Sequence, residues 1–165
     1  MREIVTHTFG PVFDAHSRVL VLGSIPSPKS REMGFYYGHP QNRFWSVLAA
    51  VFGEELPRSV EERRAFALRN RIALWDVLAS CSIEGAEDAS IREPEPSDLT
   101  MILRVAPIRA IFTTGQKADA LYKKYCEPAT GMPSRCLPST SPANRRISTE
   151  MLLRAYGAIR EVREA

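Results

Sequence analysis

The stretch GSIPSPKS, Gly23 to Ser30, follows the apolar run RVLVL and stands one letter from a phosphate-loop signature, G-x-x-x-x-G-K-[ST]. Such a loop aims successive backbone N–H groups at a phosphate, with glycines where other residues resist the required angles. Here Pro28 replaces the second glycine and Pro26 lies two residues before it. Two N–H donors are therefore missing, and φ is held near about −65° at both positions. That nucleotide cradle cannot form. What remains is a stiff turn carrying Ser24, Ser27, Lys29 and Ser30, and the question becomes what such a turn holds.

A second turn of the same kind, LPSTSPANRR, lies near the C-terminus and carries Ser139, Thr140 and Ser141, followed by Asn144, Arg145 and Arg146. With Lys29, Arg31 and Arg43, positive charge gathers beside both turns. For any one of these cations taken alone, a solvated surface is the simpler reading. The net charge of +3 is too small to establish a nucleic-acid partner without that distribution. The three cysteines, Cys81, Cys126 and Cys136, are widely spaced with no C-x-x-C pair, so they suggest neither a disulfide framework nor a zinc site. An iron–sulfur cluster normally takes four such ligands.

The elements that must position these turns follow from periodicity. RVLVLGS is apolar without alternation and reads as a buried strand. NRFWSVLAAVFG places Phe44, Val47, Leu48 and Val51 at helical spacing, with Gly53 as its stop. SVEERRAFALRN is a helix whose Ser59 and Glu62 form a capping box. IALWDVL reads as a second strand, and the Pro- and Glu-rich SCSIEGAEDASIREPEPS as a long surface loop. Ser97 is the expected N-cap of a helix over DLTMILRVAP that closes before Pro107. IRAIFTT and SRCLPS read as strands three and four, with the helix GQKADALYKKYC between them. The final helix, STEMLLRAYGAIREVREA, presents Leu152, Tyr156, Ile159 and Val162 on one face.

Strands alternating with helices predict a parallel sheet covered on both sides, in one domain spanning residues 1–165. Both Ser/Pro turns then leave the carboxyl ends of strands, where open α/β sheets carry their sites. The apolar runs fall well short of the roughly 20 residues that cross a bilayer, and the N-terminus lacks a secretory core. The expectation is a cytoplasmic protein with no membrane contact.

Read onward, the first turn becomes GSIPSPKSREMGFYYGHPQNRFW. Four features carry a resemblance: G-S-x-P-S after the first strand, the pair Tyr36-Tyr37, H-P-x-N-x-F-W from His39 to Trp45, and LPSTSPANR. LWDVLASCSIEGAEDASI between them looks similar too. In this order the chain resembles the uracil-DNA glycosylase superfamily, most of all its hypoxanthine-DNA (deoxyinosine) branch, with the mismatch-specific uracil enzymes as near relatives. The resemblance implies a three-layer α/β/α fold on a central four-stranded parallel sheet. It also implies a monofunctional, monomeric enzyme without metal or other cofactor, whose partner is DNA containing deaminated bases.

Such an enzyme takes its nucleotide out of the stack, holds the base by stacking and edge hydrogen bonds, and grips the flanking phosphates. The resemblance assigns Tyr37 to stacking, with Gly23 and Ile25 beside the base and Tyr36 left to the core. Ser27, Lys29, Ser30, Ser139, Thr140 and Ser141 fall to the phosphates, and Asn144 and Arg145 to the loop that fills the gap left by the base. The catalytic candidates are Asn42, His39 and Ser24. Several sister branches place a water-orienting Asn or Asp where this chain has Ile25, and the hypoxanthine branch is thought to use the asparagine of H-P-x-N, here Asn42. Its amide could orient water or grip the purine edge, while composition alone makes it the N-cap of the following helix. His39 could donate to the departing base or a phosphate, or simply hold backbone. Leu137 stands where the uracil branch has a histidine. Phe44, Trp45 and Trp75 read as core. Two rival readings stay open: a DNA-binding module of this fold that has lost turnover, favoured by Ile25 and Leu137, and an altered phosphate-loop protein, weakened by Pro26 and Pro28.

Overall fold

The computed structural model describes residues 2–6, 9–25, 28–84 and 91–164. Its centre is β2 (Val19–Gly23), buried at every position. Alternate side chains of this strand enter opposite cores: Val19 and Val21 pack on one side, Leu20 and Leu22 on the other. An all-apolar strand has no face for water, so both faces must be covered.

Parallel neighbours complete the sheet in the order β3-β2-β6-β7, with β3 (Ile72–Asp76), β6 (Ala110–Thr114) and β7 (Ser134–Leu137). On the Val19/Val21 face lie α2 (Phe44–Phe52), α3 (Val60–Arg69) and α7 (Thr149–Glu164), which contribute Phe44, Trp45, Leu48, Phe66, Leu152, Tyr156 and Ile159. On the other face lie α4 (Thr100–Leu103) and α5 (Gln116–Tyr125), with Ile102, Leu121 and Tyr122. This is the expected three-layer α/β/α arrangement with a four-stranded parallel sheet. Two of the anticipated helix ends hold as well. Ser59 Oγ accepts the Glu62 N–H at 3.0 Å, and Gly53 closes α2 at φ 64°, a left-handed angle that favours glycine.

Three expectations need correction. The segment read as one long surface loop contains β4 (Leu78–Glu84) and β5 (Arg92–Pro96); residues 85–90 lie outside those described. With β1 (Arg2–Thr6) they form a second, antiparallel sheet in the order β1-β4-β5. The sequence REPEP hides a strand because its prolines are tolerated at a sheet edge, where an N–H is not needed. The partner of β4 also comes from the far N-terminus, which no local pattern shows. IALWDVL is therefore two strands, broken at Val77, whose N–H turns to Gly23 O at 2.8 Å.

Ser97 does not cap α4. It is buried, its hydroxyl donates to Asp76 O at 2.8 Å, and the helix is only Thr100–Leu103, with Leu99 at its cap position. Among the described residues no helix is long and apolar enough to cross a membrane.

Candidate active site

At the carboxyl end of β2, Gly23 pairs in register with Asp76 of β3. A Cβ on Gly23 would stand 2.6 Å from Asp76 Oδ1, 3.5 Å from the Tyr37 hydroxyl and 3.7 Å from Thr114 Oγ1. Glycine is required here for space, and its position marks where three polar side chains meet. Asp76 is only 4% exposed. Sequence reasoning missed it, although a carboxylate ending the buried run IALWD at this edge of the sheet is a readable signal. Ile25, the next but one after Gly23, packs partly against the Leu20/Leu22 core.

Beyond β2 the chain forms the short helix α1 (Pro28–Met33), which includes Lys29 and Ser30; Ser27 lies outside the described residues. Ser30 is buried, and its Oγ accepts the Gly38 N–H at 2.9 Å. It fastens α1 to the aromatic segment, so the phosphate contact expected of it is not exposed in this arrangement. Tyr36 is a core ring, as expected: its hydroxyl donates to Gly10 O at 2.9 Å and its carbonyl accepts from Trp45 Nε1 at 3.0 Å.

Tyr37 behaves differently. It holds φ at 54°, a left-handed angle that is strained for a tyrosine, and is only half-buried. Its ring stacks on Phe44 at 3.7 Å between centroids and 15° between planes. Its hydroxyl lies 3.0 Å from Thr114 Oγ1, which in turn donates to Leu22 O at 3.3 Å. Burial, and then the negative charge of Asp76, push the Tyr37 phenol well above its usual range. It therefore stays protonated, as one ring of a fixed stack.

The H-P-x-N turn sits on the N-terminus of α2. Its turn closes by Asn42 N–H to His39 O at 2.9 Å. His39 Nδ1 accepts the Gln41 N–H at 3.0 Å, which fixes the tautomer of the neutral ring and leaves Nε2–H as its outward donor. Asn42 Oδ1 accepts two hydrogen bonds, from the Phe44 N–H at 2.9 Å and from Thr140 Oγ1 at 2.7 Å. The cap position itself falls to Arg43, so the N-cap expected of Asn42 is displaced by one residue, and the two bonds fill both lone pairs of the Asn42 oxygen. Asn42 Nδ2 meets no acceptor among the described residues, so the amide offers donors only.

Thr140 is 1% exposed with its hydroxyl on Asn42, and its carbonyl accepts the Arg43 N–H at 3.1 Å. The phosphate contact expected of Thr140 is therefore closed off, whereas Ser139 and Ser141 stay half-exposed. Each of those hydroxyls accepts a backbone N–H within its own turn, from Ser141 at 3.1 Å and Ala143 at 3.2 Å. Arg43, named earlier only as a flanking charge, is a clasp: Nη1 donates to Ile147 O at 2.9 Å and Nη2 to Asn144 O at 3.1 Å. Tyr156 braces the same loop through Pro138 O at 2.6 Å. Asn144 is folded onto its loop, Nδ2 to Ser139 O at 2.9 Å, while Arg145 stands exposed. Leu137 is 4% exposed at the end of β7 and belongs to the core.

The first Ser/Pro turn leaves the carboxyl end of β2 and the second that of β7, on one rim of the parallel sheet with β6 between them. A Cβ on Gly115, just past β6, would come within 3.5 Å of Ser139 Cβ, and Asn42 joins Thr140 across 98 residues. Beside them a cleft of about 380 Å³ is lined by Gln41, Arg43, Pro142 and Arg145. Neither arginine has a carboxylate partner among the described residues, so the cleft is suited to an anion. No group of three or more His, Cys, Asp or Glu side chains among the described residues could hold a metal ion.

Comparison with known proteins places this arrangement in company. The family model described as the uracil DNA glycosylase superfamily matches residues 11–159. A hypoxanthine DNA glycosylase of Methanosarcina barkeri is 37% identical over 140 residues, covering 84% of this chain and 87% of that protein. One of Methanosarcina acetivorans is 36% identical over 147 residues, covering 88% and 92%. The solution NMR structure of a Methanosarcina acetivorans protein, described as a proposed uracil DNA glycosylase, superposes with a TM-score of 0.82 at 33% identity, over 97% of this chain and 99% of that one.

Proposed function

The chain belongs to the uracil DNA glycosylase superfamily, and on that premise we propose that it hydrolyses the N-glycosidic bond of deaminated bases in DNA, hypoxanthine first. Uracil opposite guanine is the second substrate of this reading. The work is the first step of base-excision repair, carried out by one 165-residue domain acting as a monomer in the cytoplasm.

The observation that carries the proposal is the junction of Asn42 with Thr140, which holds a donor-only amide beside the Tyr37–Phe44 stack. An everted base lies on the outer face of Tyr37, where stacking contributes about 1–3 kcal/mol for any base. Asn42 Nδ2 donates to a carbonyl on its edge. As the bond to the sugar breaks, electrons move onto the base, and that donor stabilises them. The sugar becomes cationic beside the buried Asp76, a water molecule adds to its C1′, and the proton that this water loses ends on the departing base. His39 Nε2–H and the hydroxyls of Ser24, Ser139 and Ser141 are assigned to the backbone of the extruded nucleotide, with Arg43 and Arg145 as the neighbouring cations. Hypoxanthine and uracil leave more readily than intact purines, so placed donors and charges suffice without a strong acid.

The test is a set of labelled duplexes carrying inosine, uracil opposite guanine, or xanthine, incubated with purified protein in the presence of chelator and absence of nucleotide. The expected result is an alkali-labile abasic site in the inosine strand. No cleavage under enzyme excess and long incubation would overturn the activity. Tight binding without release would instead leave a DNA-binding module of the same fold.

A further inference from the structure

We infer that Thr140 locks the plane of the Asn42 amide, whose sense the Phe44 N–H sets, and that this fixed donor is what separates a deaminated base from the amine-bearing base it came from. The inference rests on the glycosylase reading above and assigns to Thr140 a positioning role in base selection.

The orientation of an asparagine amide is usually free to reverse. Here it is not. The Phe44 N–H can only donate, so the atom it meets at 2.9 Å is the oxygen. The Thr140 hydroxyl, 2.7 Å from the same atom, occupies the second lone pair. Thr140 is itself held, since its carbonyl takes the neighbouring Arg43 N–H at 3.1 Å and its side chain is buried. Two anchors on one oxygen set the plane of the amide as well as its sense. With one anchor the plane can swing, and the freed lone pair can accept from water or from an amine.

Deamination changes one thing at the edge of each base. The exocyclic amine of adenine or cytosine, a donor, becomes a carbonyl, an acceptor. A side chain that can only donate bonds the product and meets the parent donor to donor, with both groups left unpaired out of water. Sites that demand such a hydrogen bond reject the mismatched analogue strongly. Guanine and thymine carry the same carbonyl, so this donor sorts adenine from hypoxanthine and cytosine from uracil, while ring size and the other edge sort the rest. Against a phosphate role, a contact to the DNA backbone would affect every base alike.

The experiment uses Thr140→Val, Thr140→Ser and Asn42→Asp, with thermal melting to confirm folding. Anisotropy measures affinity for duplexes carrying hydrolysis-resistant 2′-fluoro inosine or 2′-fluoro adenosine, and single-turnover assays measure hypoxanthine release. The expected wild-type preference for the inosine duplex is at least about tenfold. Thr140→Val narrows it to within about threefold and slows release at least about tenfold, and Thr140→Ser restores most of both. Asn42→Asp keeps an oxygen for Phe44 and Thr140 but removes the donor, so it loses the preference outright. If Thr140→Val does not fold, the Asn42→Asp result decides. A wild-type preference and rate in both variants would overturn the inference. So would a Thr140→Val protein that binds both duplexes equally weaker with a shallower salt dependence, which is a phosphate contact. If the wild type binds with preference but releases no base, the glycosylase reading fails while the binding ratios still judge this one.

Discussion

The carboxylate of Asp76 lies directly against the backbone of Gly23, with Oδ1 2.6 Å from the point where a Cβ would stand on that glycine. The two residues are paired in the parallel register of β2 and β3, and Val77 ties the strands again through Gly23 O at 2.8 Å. Asp76 is buried, and the Tyr37 hydroxyl at 3.5 Å and Thr114 Oγ1 at 3.7 Å close the rest of that space, which leaves little room to yield. Gly23→Ala is expected to cost about 1–3 kcal/mol in denaturant unfolding, as overpacking of a closed site. In an Asp76→Ala background the same change should cost markedly less, because the clashing oxygens are gone. Equal costs in the two backgrounds would show that the carboxylate is not what excludes a side chain at position 23.

Tyr37 separates shelf from anchor. Tyr37→Phe removes only the hydroxyl bond to Thr114, whose own hydrogen still has Leu22 O at 3.3 Å. Stability should fall by about 1 kcal/mol or less, with base release near wild type. Tyr37→Ala removes the ring that lies on Phe44 and should slow release by about tenfold or more at equal folding, read in single-turnover assays. Because position 37 sits at φ 54°, Tyr37→Gly relieves backbone strain and should melt above Tyr37→Ala despite presenting even less surface.

Arg145 is exposed, lines the cleft with Arg43, and among the described residues holds only Pro142 O at 3.2 Å. Arg145→Ala should weaken binding of undamaged duplex and lower the slope of log affinity against log salt by roughly one. Release at saturating DNA should change little. An unchanged salt slope would place this arginine away from the phosphates.

Burial pushes the Cys126 thiol up to about 11 from its usual 9.0. The unfolded chain therefore loses this proton first. Stability from the protonated thiol is complete below about pH 9 and declines as pH rises towards 11, visible as a falling melting temperature in alkaline buffer that Cys126→Ser reduces. In native protein near pH 8, a thiol reagent should modify the exposed Cys136 well ahead of the buried Cys81 and Cys126.

Much of this architecture could be read from the chain. The run VLVL is apolar at consecutive positions, so it must be covered on both faces, and with alternating helices that implies a parallel sheet whose turns share one edge. The Pro26 and Pro28 substitutions excluded a phosphate loop by backbone chemistry alone. The motifs from Gly23 to Trp45 and from Leu137 to Arg145 carried the family, because their order and residue types lie within short segments.

The tertiary structure decided what depends on distant partners. REPEP becomes a strand only because β4 lies beside it, and β4 is itself paired with the N-terminus. Ser97 had every mark of a cap, yet its hydroxyl bonds the strand end at Asp76, a partner 21 residues away that no local rule contains. Asn42 shows the division most clearly. Its identity suggested a site residue or a helix cap, and its oxygen is taken by Phe44 from within the same turn and by Thr140 from 98 residues away. Residue types and short-range spacing set which end of the amide faces the helix, through the Phe44 N–H, and only chain closure, by bringing Thr140 to the same oxygen, set the plane in which that amide is held.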